Sequence, residues 1–207
     1  MRPPKPDSAG DQVTGTSIAN IANFLTMLRI VCVPLMVALL FAGGGHDQAM
    51  RWWAAVVFVF AALTDLLDGV IARRRGLVTN FGKIADPIAD KALIGAALVS
   101  LSLLGDLAWW VTIVILVREV GVTALRFWVI EHGVIPASRG GKVKTVAQGI
   151  AITMYLLQFP DSSWWPVASM VMMAIAVALT LATGLDYVVR AMRLRASAET
   201  VSSGSRS

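Results

Sequence analysis

Two stretches of this chain carry paired aspartates at helical spacing: Thr64-Asp65-Leu66-Leu67-Asp68-Gly69-Val70-Ile71-Ala72-Arg73, and Gly82-Lys83-Ile84-Ala85-Asp86-Pro87-Ile88-Ala89-Asp90-Lys91. Asp65 and Asp68 stand three apart and Asp86 and Asp90 four apart, so each pair shares one face of a helix. Asp65 lies eight residues before Arg73 and Asp90 eight after Gly82. In two antiparallel helices joined by a short loop, both would sit roughly 12 Å from the loop ends at the α-helical rise. The four carboxylates can therefore converge. Converging anions in a low-dielectric site repel or stay protonated unless cations lie among them. Hard oxygen donors favour Mg2+ or Mn2+ over zinc, and no His or Cys cluster argues otherwise. The plainer reading, a set of helix caps and interfacial acids beside an arginine run, does not account for two in-face pairs at matched depth. Gly69 and Gly82 clear space one turn from the acids for a ligand or backbone. Arg73 places a guanidinium at the helix end, suited to a phosphate, whereas Arg74 and Arg75 read as surface charges.

The elements that must hold these residues are membrane helices. Of 207 residues, 57% are hydrophobic, and the mean hydropathy is +0.70, far from an ordinary soluble domain. Six apolar stretches have about the length needed to cross a bilayer: Ile21 to Ala42, Trp52 to Arg73, Phe81 to Leu104, Leu107 to Ile130, Val143 to Phe159 and Trp164 to Val189. The expected fold is all-α, a polytopic membrane protein with six transmembrane helices in one bundle. Short connectors leave no room for a separate soluble domain. The expected organisation is a polar tail over 1–17, a membrane domain over 18–195 and a Ser-rich tail over 196–207, both tails disordered. A cleaved secretory leader ending near Ala42 is disfavoured, because Arg29 and Pro34 interrupt the run and a long polar segment precedes it. Cys32 is the single cysteine and reads as an apolar packing residue.

The net charge is +5, and the basic residues fall on alternate sides of the six stretches. Arg2 and Lys5, then Arg73, Arg74, Arg75 and Lys83, then Arg139, Lys142 and Lys144, then Arg190, Arg193, Arg195 and Arg206 gather on one side, and the opposite connectors carry only Arg51. The positive-inside rule places both termini and the second and fourth connectors in the cytoplasm. Nucleic-acid binding, the other common use of basic charge, needs an exposed basic face on a soluble fold, so no nucleic acid is expected.

The stretch from Asp65 to Asp90 resembles the signature of the CDP-alcohol phosphotransferase family, DxxDGxxARx8GxxxDxxxD, and fits it without a departure. The resemblance implies a six-span membrane enzyme with a two-metal site open to the cytoplasm, and it implies a homodimer. It further implies that Asp65 and Asp86 bridge two divalent metals, that Asp68 completes the first and Asp90 the second, and that Asp90 is also the catalytic base. Gly69, Arg73 and Thr79 would hold the CDP moiety of CDP-diacylglycerol.

A second basic group bears on the acceptor. Arg118 and Arg126 stand eight apart on the fourth stretch, followed by Arg139, Gly140, Gly141, Lys142, Val143, Lys144 and Thr145. Arginines within a span need anionic partners, and Glu119 alone is expected to serve only one of them. A phosphate on the acceptor would satisfy the rest. The competing reading is that Arg126 snorkels and the others mark topology. Arg118-Glu119, Ala124-Leu125-Arg126 and Gly141-Lys142-Val143-Lys144-Thr145-Val146-Ala147-Gln148 are similar to the branch of the same family whose acceptor is glycerol 3-phosphate. Asn23-Phe24-Leu25-Thr26 with Arg29 resembles that branch's opening motif, with Ala22 where a proline is usual, and implies that Asn23 and Thr26 belong to the binding site. The similarity is read from Ile18 to Gln148, and the last two stretches look like generic bundle helices.

The competing acceptors are inositol phosphate and phosphatidylglycerol. The competing class is a divalent-cation transporter, since acids within a membrane also mark ion pathways. Against transport, the carboxylates gather near one membrane face and the chain shows no inverted repeat.

Overall fold

The structure, a computed structural model, describes the backbone of residues 9–75, 80–129 and 139–204 and the side chains of residues 24–64, 89, 91–125, 141 and 143–192. Among the described residues six α-helices follow one another: α1 (Ala9–Phe41), α2 (Gln48–Arg75), α3 (Asn80–Leu103), α4 (Trp109–Val129), α5 (Arg139–Leu156) and α6 (Trp165–Gly204). A 3-10 turn, Ala42–Gly45, joins α1 to α2, and no strand occurs among the described residues. The all-α expectation holds.

Helix α1 begins at Ala9 and α6 runs to Gly204, so helix reaches into both tail segments. Beyond Arg190 the chain continues with Ala, Met, Leu and Arg, all good helix formers, and meets no glycine before Gly204.

The α1–α2 turn depends on glycine. Gly43, Gly44 and Gly45 have φ of 61, 76 and 84°, in the left-handed region. At Gly45 a Cβ would stand 2.2 Å from a Leu104 methyl, so no side chain fits where this turn meets the α3–α4 connection.

The interior is apolar over much of its length. Met36 and Leu40 of α1, Phe58 of α2, Leu98 and Leu101 of α3, Ile115 of α4, Ile152 of α5 and Ala176 of α6 are buried together. Helix α1 packs on α2 and α3, α4 on α3 and α6, and α5 on α2, α3 and α6. The outer surface is equally apolar: Val31, Trp53, Val117, Val120, Leu181 and Leu185 are exposed. A water-facing surface rarely carries such continuous apolar area.

Among the described residues, Phe24–Gly45 and Trp165–Met192 are long and apolar enough to cross a membrane, while Gln48–Thr64 and Lys91–Leu103 are apolar but shorter.

At the end where α2, α4 and α6 begin, Arg51 is wholly buried. Its Nη1 donates to the Gly45 carbonyl at 2.9 Å and its Nη2 to Asp106 Oδ2 at 2.7 Å and the Tyr155 carbonyl at 3.0 Å. One guanidinium thus ties together the α1–α2 turn, the α3–α4 connection and the end of α5. Gln158 adds a bond to Asp106 Oδ1 at 3.1 Å. Exposed Trp52, Trp53, Trp109, Trp110 and Trp164 surround this end, and Trp52, Phe159, Trp165 and Trp164 stack edge to face with centroids 4.6–5.4 Å apart.

Candidate active site

The acidic signature is divided between two helices in contact. Asp65, Asp68, Gly69 and Arg73 belong to α2, and Asp86 and Asp90 to α3. The helical backbone keeps each pair one turn apart. The side chains of these six residues lie outside the described set, as does Thr79 altogether. Their described neighbours face inward: Thr64, just before Asp65, and Ala89, just before Asp90, are both buried. Lys91, just after Asp90, donates from Nζ to Thr123 Oγ1 of α4 at 2.6 Å. Among the described residues, no three His, Cys, Asp or Glu side chains come together as a metal set.

Of the residues expected at the acceptor, Thr26, Arg118 and Lys144 are described. The side chains of Asn23, Arg126, Arg139 and Lys142 lie outside the described set, although α1, α4 and α5 carry them. Thr26 is buried on α1, as is Arg29 less than one turn further on. Lys144 is buried inside α5, although its sequence position reads equally well as a connector charge. Its Nζ pairs with Glu119 Oε1.

Glu119 does more than the sequence suggests. The same Oε1 accepts from Arg118 Nη1 at 3.2 Å, so a single carboxylate oxygen serves two cations on two helices. Arg118 is satisfied further by α6: its Nε donates to the Thr180 carbonyl at 3.1 Å and its Nη2 to Thr183 Oγ1 at 2.8 Å. The sequence reading gives Glu119 to one of Arg118 and Arg126 and leaves the rest to a phosphate; in the structure Glu119 serves Arg118, and α6 supplies its other partners. Thr123, which receives the Lys91 bond, donates to the Glu119 carbonyl at 2.8 Å. Lys91, Thr123, Glu119, Arg118 and Lys144 thereby form one polar network joining α3, α4, α5 and α6.

Sequence reasoning missed Thr180, Thr183 and Gly184, because small residues within an apolar run give no signal of their own. It also left Gln148 without a role. That side chain is fully buried one turn beyond Lys144, and its amide has no partner among the described residues. Buried amides without a partner are rare and usually meet water or a ligand.

The described residues form a polar network of partly buried cations and one carboxylate, next to the helix pair that carries the acidic signature. Comparison with known proteins gives the family. A family model described as CDP-alcohol phosphatidyltransferase matches residues 19–182. The chain is 55% identical over 183 residues to a probable phosphatidylglycerophosphate synthase of Mycobacterium tuberculosis (strain ATCC 25618 / H37Rv), covering 88% of this chain and 87% of that protein. It is 36% identical over 188 residues to the CDP-diacylglycerol–glycerol-3-phosphate 3-phosphatidyltransferase of Bacillus subtilis (strain 168), covering 81% and 93%. A protein with the same description from Rickettsia felis is 36% identical over 171 residues. The match extends past Gln148 through α5 and into α6, further than the similarity read from the sequence. On the match over residues 19–182 and these identities, the chain belongs to the CDP-alcohol phosphatidyltransferase family.

Proposed function

We propose that this membrane enzyme transfers the phosphatidyl group of CDP-diacylglycerol to glycerol 3-phosphate, giving phosphatidylglycerophosphate and CMP, as a step of phospholipid biosynthesis. The observation that carries the proposal is the unbroken acidic signature on two contacting helices, α2 and α3, beside a partly buried network that includes Arg118 and Lys144. The names of the relatives support the choice of acceptor.

Asp65, Asp68, Asp86 and Asp90 form a donor set of hard oxygens, which fits two Mg2+ or Mn2+ ions. Asp65 and Asp86 would be shared, Asp68 would complete one ion and Asp90 the other. Bound there, the ions would supply counter-charge to the pyrophosphate and ease the departure of CMP. The chain's own residues do the rest. Gly69, Arg73 and Thr79 hold the CDP moiety, and Asn23 and Thr26 line the same site from α1. Asp90 takes the proton of the acceptor hydroxyl as its oxygen bonds to the phosphatidyl phosphorus and the bond to CMP breaks. Arg126, Arg139, Lys142 and Lys144 form the cationic group that recognises the acceptor's phosphate, and Arg118 belongs to that group through its contact with Glu119, the partner of Lys144. An apolar cavity of about 470 Å³ between α2, α3 and α5, lined by Phe58, Ala62, Leu93, Ile94, Val146 and Ile150, suits an acyl chain of the donor.

In the same reading all six helices cross the bilayer, residues 18–195 form the membrane domain, and both termini and the active site face the cytoplasm. Two observations support this. The tryptophans at the Arg51 end sit where an interfacial aromatic belt belongs. Arg51, the one basic residue on that side, is buried and paired, so it does not offset the charge asymmetry. A homodimer is carried over from the family resemblance alone.

Purified protein in lipid should be offered CDP-diacylglycerol with glycerol 3-phosphate, inositol phosphate and phosphatidylglycerol in parallel, with Mg2+ or Mn2+ present. Phosphatidylglycerophosphate as the main product is expected. A different main product would replace the acceptor, and no CMP release with any acceptor would remove the reading.

A further inference from the structure

We infer that α6 sets the position of Lys144 in the acceptor site, acting through Arg118 and Glu119, with Thr183 and Gly184 as positioning residues. The inference rests on the reading of Lys144 as part of the acceptor's phosphate site.

A lysine ammonium is a point charge on a flexible stem, and nothing in its own chemistry fixes where it points. Here Glu119 of α4 receives the Lys144 ammonium at Oε1. A glutamate side chain is itself flexible, and the same oxygen is held from the other side by Arg118 Nη1 at 3.2 Å. The planar guanidinium then transmits its own orientation, because its donors point in fixed directions. Two further donors of that fork end on α6, at the Thr180 carbonyl and at Thr183 Oγ1, at 3.1 and 2.8 Å. The Thr183 hydroxyl donates to the Leu179 carbonyl at 2.7 Å, which leaves its lone pairs free to accept from Arg118.

Gly184 makes room for this arrangement. A Cβ there would stand 3.1 Å from Cγ and 3.4 Å from Nε of Arg118, close enough to displace the side chain by a few tenths of an ångström. The backbone at Gly184 requires no unusual φ, so the close approach of Arg118 is what calls for glycine at this position. Arg118 thus belongs to the acceptor group by orienting Glu119 and Lys144 rather than by meeting the phosphate itself.

The test uses full-length enzyme in lipid, with initial rates measured against glycerol 3-phosphate at saturating CDP-diacylglycerol and the reverse. Thr183→Val keeps the side chain's shape and removes the acceptor oxygen. It should raise the KM for glycerol 3-phosphate roughly tenfold, the usual scale for a hydrogen bond to a charged group, with the KM for CDP-diacylglycerol unchanged. Thr183→Ser should restore the wild-type value, and Gly184→Ala should shift the acceptor KM in the same direction as Thr183→Val. Placed in a Lys144→Ala background, Thr183→Val should add nothing more, since both changes remove one interaction. Additive effects, or equal losses toward both substrates, overturn the inference in favour of simple helix packing. A raised acceptor KM in Lys144→Ala with none in Thr183→Val also overturns it while the acceptor site stands. If Lys144→Ala itself leaves the acceptor KM alone, the underlying site reading fails and this inference with it.

Discussion

Arg51 and Asp106 meet at 2.7 Å across the end of the bundle where α2, α4 and α6 begin, with Arg51 wholly buried and Asp106 partly buried. The pair is satisfied on all sides, by the Gly45 and Tyr155 carbonyls on the arginine and by Gln158 on the acid. Three connections that are distant in sequence are held by this one contact. Breaking a buried pair by removing one partner leaves an uncompensated charge, at a cost of about 3–5 kcal/mol. Asp106→Ala should therefore lower the thermal midpoint of the detergent-solubilised protein by several degrees. Arg51→Met, which removes the charge but keeps the apolar stem, should lower it too, by stranding Asp106. An unchanged melting curve in both variants would show that the connections hold without the pair.

Two parts of the molecule were unequally legible in the sequence. The six helices show in the apolar runs because each buries apolar residues in a shared core, and the chemistry shows because an acid or base inside an apolar run is costly unless it is paired. Asp65, Asp68, Asp86 and Asp90 stand out for that reason before any fold is known. Arg51 does not: a lone arginine between Gln48 and Trp53 looks like a surface charge, and only tertiary contacts with residues 45, 106 and 155 bury it. Lys144 is similar, since its pairing with Glu119 spans two helices. Thr183 and Gly184 carry no charge and interrupt no pattern, so their contact with Arg118 has no trace in spacing or composition.

Asp65→Asn and Asp86→Asn should each abolish turnover. An amide keeps the shape of the carboxylate but not its charge, and a carboxylate shared by two ions cannot be replaced by a neutral oxygen. Metal titration followed by thermal shift should show the stabilisation by Mg2+ or Mn2+ reduced in both variants. Normal activity in either one would rule out a shared-ligand role.

Asp90→Asn separates proton removal from donor binding. If Asp90 is the base, CDP-diacylglycerol should bind nearly as before while kcat falls by at least ~100-fold, the scale usual for loss of a general base. Equilibrium binding of the donor, measured alongside single-turnover rates, distinguishes the two roles. Loss of donor affinity with the chemical step intact would make Asp90 a ligand only.

Arg126→Ala tests the acceptor directly. A phosphomonoester near neutral pH carries close to two negative charges, and the planar fork of an arginine matches its oxygens in a way a lysine point charge does not. The variant should raise the KM for glycerol 3-phosphate, with the KM for CDP-diacylglycerol, whose proposed site lies around Arg73 and the aspartates, little changed. Arg126→Lys should recover only part of the loss, because the charge returns without the paired donors. Lys142→Ala and Lys144→Ala should act in the same direction but more weakly. Should these variants change only the amount of protein inserted in the membrane, and not the acceptor kinetics, the basic residues would be topological markers. Phosphatidylglycerol, whose recognition depends less on a free phosphate, would then be the first acceptor to test.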